Sequence, residues 1–99
     1  MESLEMIPAD EFCLHHNIEI SFIYSLRDSG LLEVVASEER LFVPIEQLAH
    51  LEKLARLHFN LNINLEGLET INHLLDKINE MQHHIVHLSN RLKRYEDMS

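Results

Sequence analysis

A seven-residue spacing of apolar side chains dominates the last third of the chain. Apolar residues recur at the a and d positions of each heptad, which line the seam of a coiled coil. The a positions are Ile71, Ile78, Ile85 and Leu92, and the d positions are Leu74, Met81, Leu88 and Tyr95. The pattern predicts one helix over residues 65–95, roughly 46 Å long at 1.5 Å per residue. We expect the seam to form a homodimer, with burial against the chain's own domain or a pairing seen only in crystals as the alternatives; the heptads alone leave the orientation open.

Two short segments near the N-terminus predict a helix-turn-helix motif. The first, residues 8–15, places Pro8 in the first helical turn and two acids near the positive end of the helix dipole. The second, residues 19–29, ends before Gly30, a residue that tolerates the left-handed backbone at helix ends. Asn17 lies in the turn between them. The apolar residues of the second segment suit one buried helical face: Ile20, Ile23, Tyr24 and Leu26.

A hairpin and a third helix are predicted next. Two runs rich in β-branched and apolar residues, 32–36 and 40–43, indicate a short β-hairpin, or wing. Pro44 then begins a third predicted helix, whose apolar stripe continues to about Phe59. Three asparagines interrupt the pattern after this helix, and the last of them, Asn64, suits the N-cap of the long helix.

These elements define the predicted fold class and domain organisation. The fold is mostly α: a MerR-like order of helix-turn-helix and short β-hairpin wing, followed by a long C-terminal coiled-coil helix. We divide the chain into a winged helix-turn-helix-like domain, residues 1–59, and a connecting turn with the dimerisation helix, residues 60–99. The long helix takes nearly a third of the 99 residues, so the remaining core is small. Oligomerisation would make up that deficit.

The formal net charge of −9 is confined to the first half of the chain. Residues 1–52 contain two basic and eleven acidic side chains, whereas residues 53–99 contain six of each. Nucleic-acid binding draws its affinity largely from Lys and Arg, so this distribution argues against a nucleic-acid partner. It favours a basic protein partner, with ordinary solubilising charge as the alternative. The acids on or beside the first two helices are the candidate partner-binding residues: Asp10, Glu11, Glu19 and Asp28.

Cysteine content and hydropathy bear on the compartment. The single cysteine, Cys13, cannot form an intramolecular disulfide, which favours a reducing compartment. The first five residues include two acids and no basic residue, so they lack the order of a signal peptide, in which a basic segment precedes an apolar one. No apolar run approaches the roughly 20 residues needed to cross a membrane. We therefore expect a soluble cytoplasmic protein.

Candidate catalytic and metal-binding residues are few. His83 and His87 are four residues apart on an outward helical face, a spacing that can bind a metal, but no third ligand is placed beside them. A solvated helix face is the simpler interpretation. We interpret Cys13 as a core residue rather than a nucleophile. Gly30 and Gly67 are the only glycines and cannot form a glycine-rich phosphate loop. We expect no catalysis, no cofactor and no metal.

Three stretches of sequence carry a family resemblance. One is Glu11 to His15 in the first helix, and another is Ser29 to Leu32 together with the later Leu41-Phe42. The most specific combines arginine-leucine, a leucine four residues on, an asparagine, and then a glycine before an apolar helix. Its positions are Arg56, Leu57, Leu61, Asn64, Gly67, Leu68, Ile71, Leu74, Leu75 and Asp76. On these residues the chain resembles the CbpM family of chaperone modulators, a shortened version of the MerR-type winged helix, over about residues 7–92. Asn60 departs from the family, which usually has an acid there.

The resemblance implies a dimer and a protein partner. Members of the family bind the J-domain of a DnaJ-like co-chaperone, the curved-DNA-binding protein CbpA, and restrain its activity. A J-domain presents a basic helix to its Hsp70, and an acidic modulator would cover that helix by charge complementarity. The resemblance to MerR-type dimers also implies antiparallel pairing. We therefore predict a chaperone modulator that binds a CbpA- or DnaJ-like J-domain and inhibits or tunes it.

A MerR-like DNA-binding transcriptional regulator is the alternative function. The order of helix-turn-helix and wing favours it, as does Arg40, which keeps the arginine of the MerR-type wing. MerR-type regulators carry an arginine, a tyrosine and an acid in the recognition helix, at positions occupied here by Tyr24, Leu26 and Arg27. Phe42 replaces the tyrosine of the wing. These departures leave the DNA-reading residues mostly dismantled. A dimeric scaffold for another partner is a third hypothesis.

Overall fold

The computed structural model describes residues 5–98 as a mostly α-helical fold with a small antiparallel sheet, which confirms the predicted fold class. The strands are β1 Met6–Pro8, β2 Val35–Ser37 and β3 Arg40–Pro44, and the α-helices are α1 Ala9–His16, α2 Ile20–Asp28, α3 Leu48–Ala55 and α4 Leu65–Met98. A 3₁₀ turn, Ile45–Gln47, precedes α3, and a π-helical turn, Arg56–Asn60, follows it. The chain divides into two compact units, with the boundary between residues 69 and 70.

Both helices of the helix-turn-helix end in the same backbone arrangement. At the end of α1, Asn17 adopts a left-handed backbone with φ of 58°, and the Ile18 N–H donates to the Cys13 carbonyl at 2.9 Å. This is the Schellman arrangement, which satisfies carbonyls that the helix leaves free. The same pattern ends α2, where the N–H of Leu31 donates to the Leu26 carbonyl at 2.9 Å after a glycine with φ of 76°. The predicted turn and stop are therefore present.

The three strands form one antiparallel sheet in the order β1-β3-β2. The hairpin pairs Ser37 with Arg40, and its two-residue turn places Glu38 and Glu39 at φ of 51° and 65°. Positive φ at both turn residues matches the twist of the flanking strands but usually selects asparagine and glycine. The predicted hairpin is present, although its first strand begins at Val35 rather than at residue 32. Strand β1, on the other side of β3, was not predicted.

The first and third predicted helices differ from the structure at their boundaries. Pro8 ends β1 and caps α1, which begins at Ala9, instead of lying within the first turn. Pro44 likewise ends β3 and precedes the 3₁₀ turn. The predicted helix to Phe59 changes to a π-helical turn at Arg56. A π turn widens the backbone because each N–H bonds five residues back instead of four.

Thirteen apolar residues of the first unit form one buried core, to which both helices of the helix-turn-helix contribute. The members are Ala9, Phe12, Cys13, Phe22, Ile23, Leu26, Leu31, Leu32, Leu41, Val43, Leu51, Leu54 and Leu68. The predicted buried face of α2 is partly wrong. Ile20 and Tyr24 are 37% and 40% exposed, while Phe22 is buried beside Ile23 and Leu26. The buried face of the nine-residue helix is narrow and is centred on Ile23, which leaves the two predicted residues at its margins.

Helix α4 begins with the predicted asparagine cap. The Asn64 side-chain oxygen accepts a hydrogen bond from the Gly67 N–H at 2.8 Å, which satisfies one of the free donors of the first turn. The helix has 34 residues and is therefore about 51 Å long. Ile71 is half-buried, and the seam residues beyond it are 47–68% exposed in the single chain: Leu74, Ile78, Met81, Ile85, Leu88, Leu92 and Tyr95.

Candidate partner-binding surface

The outward face of α2 presents little positive charge. A helix-turn-helix reads base edges with the N-terminal residues of its second helix, and here Glu19 immediately precedes that end and is exposed. Arg27 is the basic residue of the helix, in its last turn. Its guanidinium lies 4.9 Å from the centre of the Tyr24 ring and pairs with Asp28 at 3.0 Å. The end of α2 that would enter the groove of a DNA duplex therefore carries a carboxylate.

Arg40, the basic residue of the hairpin, is held by α1. Its Nε donates to Asp10 Oδ2 at 3.2 Å, and its Nη2 donates to Asp10 Oδ1 at 3.0 Å. Glu11 approaches the same guanidinium at 3.9 Å. The hydrogen bond from Arg40 lowers the pKa of the Asp10 carboxyl below its ordinary value, and the same contact raises the pKa of Arg40. The tip of the hairpin, Glu38-Glu39, adds two exposed acids.

The structure brings together two of the four predicted partner-binding acids and separates the other two. Asp10 and Glu11 lie side by side in the first turn of α1 and share Arg40. Glu19 and Asp28 lie at opposite ends of α2, so nine residues, or about 13 Å of helix, separate them. Asp28 pairs with its neighbouring arginine, whereas Glu19 has no ion pair within residues 5–98. The four acids are spread over both helices.

A groove beside α1 was missed by the sequence interpretation. It consists of three adjoining depressions, the central one of about 540 Å³ and its neighbours of about 450 and 390 Å³. The central depression shares Phe12, His16 and Glu52 with one neighbour and Asn17, Ile18 and Phe59 with the other. We call this continuous surface the Phe59 groove. Its walls come from α1, the turn before α2, α2 itself, α3 and the π-helical turn, with Ile7 of β1 and Leu65 of α4 at the ends, all within the first compact unit.

An aromatic cluster fixes the exposed ring of the groove. Phe59 is 47% exposed, and its ring centre lies 5.0 Å from that of Phe22 and 4.7 Å from that of His58. The His58 ring is itself stacked on Phe22 at 4.8 Å, and its Nδ1 lies 2.8 Å from the Ile63 carbonyl oxygen. Packing on two rings, one of them hydrogen-bonded, holds Phe59 in place. The predicted third helix continues to about Phe59, whereas in the structure this residue lies in the π-helical turn, at the surface.

Carboxylates are distributed along the rim of the Phe59 groove. Glu11 lines one outer depression, Glu52 lines that depression and the central one, and Glu19 lines the other outer depression. All three side chains are exposed. Arg56 is the basic residue of the central depression. The groove therefore combines an apolar floor with a net negative rim at neutral pH.

His83, His87 and Cys13 are the residues that the sequence offered for metal binding or catalysis. No group of three or more His, Cys, Asp or Glu side chains within residues 5–98 could hold a metal ion. His83 and His87 are exposed on α4. Cys13 is buried, and burial raises the pKa of its thiol, with a smaller contribution from the negative charge of Asp10. A raised pKa disfavours the reactive thiolate.

Within residues 5–98 no helix is long and apolar enough to span a membrane.

Comparison with known proteins agrees with the order of elements. The family model described as MerR HTH family regulatory protein matches residues 7–90, from β1 into the last third of α4. The match thus includes the helix-turn-helix, the hairpin and most of the seam. No curated protein and no solved structure gives a significant match to the chain.

Proposed function

We propose that this chain, which belongs to the MerR HTH family of regulatory proteins, regulates by binding a protein instead of DNA. Its proposed partner is the J-domain of a DnaJ- or CbpA-like co-chaperone, and binding restrains or tunes the activity of that co-chaperone. The chain acts without catalysis and without a cofactor. The resemblance of residues 56–76 to CbpM chaperone modulators supplies the partner class.

The pairing of both basic residues in the first half of the chain carries this proposal. Residues 1–52 contain only Arg27 and Arg40 as basic residues, and each is ion-paired with an aspartate. Acids that are unpaired within residues 5–98 remain beside α2 and in the hairpin, the two elements with which a winged helix-turn-helix contacts DNA. Glu19 and Glu38 are examples, and they give these elements a negative potential. Like charge repels a phosphate backbone and attracts a basic protein helix, so the surface favours the protein partner.

A homodimer through α4 completes the proposal. Seven seam residues between Leu74 and Tyr95 are about half exposed or more in the single chain, an extent of apolar surface that monomeric proteins rarely leave in water. Four heptads of a and d residues suit a second copy of the same helix. The dimer would present two acidic domains, one for each J-domain.

Titration calorimetry of the full chain with the J-domain from the same host tests the proposal. We expect micromolar or tighter binding that weakens about tenfold between 0.05 and 0.5 M NaCl, because salt screens exposed charges. Absence of binding at micromolar concentration would exclude the partner. Binding that does not change with salt would exclude the electrostatic basis while keeping the partner.

A second experiment compares two charge reversals, one beside α2 and one on α4. Glu19→Lys changes an exposed acid that has no ion pair in the described chain, and we expect it to weaken J-domain binding about tenfold. Glu80→Lys makes the same change in net charge on an exposed, off-seam position of α4 and serves as control. Equal loss in both variants would mean that only overall charge matters.

DNA binding remains the second candidate, favoured by the family match and by the complete helix-turn-helix and hairpin. A gel-shift with duplex DNA at low salt separates the two functions, because even non-specific DNA binders retain DNA under that condition. We expect no retarded band. Retention of DNA by the wild-type chain would favour the regulator that acts on DNA.

A further inference from the structure

We infer that the Phe59 groove is the docking site for the partner's basic amphipathic helix, an assignment that rests on the proposed function and adds its location. The occupant places an apolar side chain on Phe59 and basic side chains against the rim. The four acids considered from sequence lie on two helices, and only two of them, Glu11 and Glu19, line this groove. The docking site is thus centred on apolar residues that charge alone did not indicate.

The apolar floor supplies the anchor point. Phe59 is 47% exposed yet fixed by contacts with Phe22 and His58, so little conformational freedom remains to be lost when a partner covers it. Aromatic residues, phenylalanine among them, are enriched at the core of protein interfaces, where most of the binding energy is concentrated. Ile18 is half-buried and lines the two depressions that Phe59 also lines, so it extends the apolar floor toward α2.

The rim selects a basic helix as the occupant. Each of the three depressions contains at least one of the carboxylates Glu11, Glu19 and Glu52, so negative charge recurs along the groove. An amphipathic helix carries its basic and apolar residues at intervals of three and four positions on adjoining faces, which matches an apolar floor with charges on its edge. A second copy of α4 is a poorer match, because Leu65–Met98 contains four basic and six acidic residues and so carries no excess of positive charge.

Two substitutions in the full chain test the groove by calorimetric titration with the purified J-domain of the same host. Phe59→Ala removes the anchor, and Glu52→Lys reverses a rim charge that the sequence interpretation did not consider. We expect each to weaken binding about tenfold or more, as is usual for central interface residues. Leu14→Ala, on the outward side of α1 at 84% exposure, and Glu80→Lys are matched controls, expected to change binding less than about twofold.

A second measurement keeps the test independent of folding. Amide NMR shifts of the wild-type chain should move on J-domain addition in residues 16–19 and 56–60, the segments that form the centre of the groove. Wild-type binding with unchanged affinity in both groove variants, or with shifts confined to other segments, would overturn the groove and leave the proposed function standing. Absence of wild-type binding would overturn the proposed function and the occupant together.

Discussion

Arg40 and Asp10, thirty residues apart in sequence, form a two-point contact in which Nε and Nη2 donate to the two oxygens of one carboxylate at 3.2 and 3.0 Å. A guanidinium presents the same pair of donors to a phosphate group. Asp10 therefore occupies the donors with which an arginine of the hairpin would contact DNA. The contact also joins the N-terminus of α1 to β3, so it belongs to the fold as well as to the charge pattern of the surface.

The first prediction concerns the pKa of Asp10. The hydrogen bond from Arg40 lowers it in the folded chain, so Arg40→Gln should return it toward its ordinary value. Stability from the pair is therefore present above the unfolded-state pKa, about 4, and is lost as pH falls through the lower folded-state value. NMR titration of the Asp10 side-chain carboxyl carbon measures the titration midpoint in the wild-type chain and in the Arg40→Gln variant.

Arg27→Gln is the control for that titration, because Arg27 pairs with Asp28 and not with Asp10. It should leave the Asp10 midpoint unchanged. Equal Asp10 midpoints in the wild-type chain and the Arg40→Gln variant would show that the contact is not maintained in solution.

The second prediction concerns the cap of α4. Asn64→Ala removes the acceptor of the Gly67 N–H and should lower the free energy of unfolding by about 1 kcal/mol. Denaturant unfolding at fixed protein concentration measures the change. Asn79→Ala, at an exposed position within the same helix, should instead raise stability slightly because alanine has the higher helix propensity. A loss at residue 79 as large as that at residue 64 would contradict the capping role.

The third prediction concerns the close approach at Gly67. A Cβ at this position would lie 2.6 Å from Ile63 Cγ2 and 3.2 Å from Asn64 Oδ1. Alanine ordinarily stabilises a helix by about 1 kcal/mol relative to glycine, whereas overpacking costs about 1–3 kcal/mol. The stiff β-branched side chain of Ile63 packs against the core and cannot move away easily. We therefore expect Gly67→Ala to lower the free energy of unfolding.

A double-mutant cycle separates these two contributions. Ile63→Ala alone should destabilise the chain, and Gly67→Ala added to it should be neutral or stabilising because the methyl group is gone. Thermal unfolding of the four proteins gives the coupling energy. Equal effects of Gly67→Ala in both backgrounds would mean that the close approach does not explain the glycine.

The features of the fold that could be predicted from the sequence are those in which a residue acts on its own stretch of backbone. Asn17 and Gly30 take the left-handed conformation at helix ends, and Asn64 caps α4, because each of these effects depends on residues within one turn. The heptad spacing likewise predicted one long helix. These features need only local chemistry or a regular period, both of which are visible in a linear sequence.

The features that were missed depend on contacts distant in sequence or on a change of helix type. Strand β1 has three residues and exists through pairing with β3, more than thirty residues later. The Phe59 groove depends on the π-helical turn, because an uninterrupted α-helix would direct this aromatic residue differently. The pairing of Asp10 with Arg40 is also tertiary. A count of charges showed an acidic half but could not show which acids are already paired.

The last prediction concerns the seam of α4. Ile85 and Val86 are adjacent and are 59% and 58% exposed in the single chain, but only Ile85 occupies an a position. Ile85→Glu should therefore convert the proposed dimer into a monomer at micromolar concentration, because dimerisation would desolvate the new carboxylates at the seam. Val86→Glu should leave the dimer intact. Sedimentation equilibrium measures both masses. Monomers in both variants would indicate general weakening of the helix, and dimers in both would place the contact elsewhere. Because Ile85 and Val86 are almost equally exposed, the loss of apolar surface alone would predict equal effects of the two substitutions. Only pairing along the heptad seam would make Ile85→Glu and Val86→Glu differ.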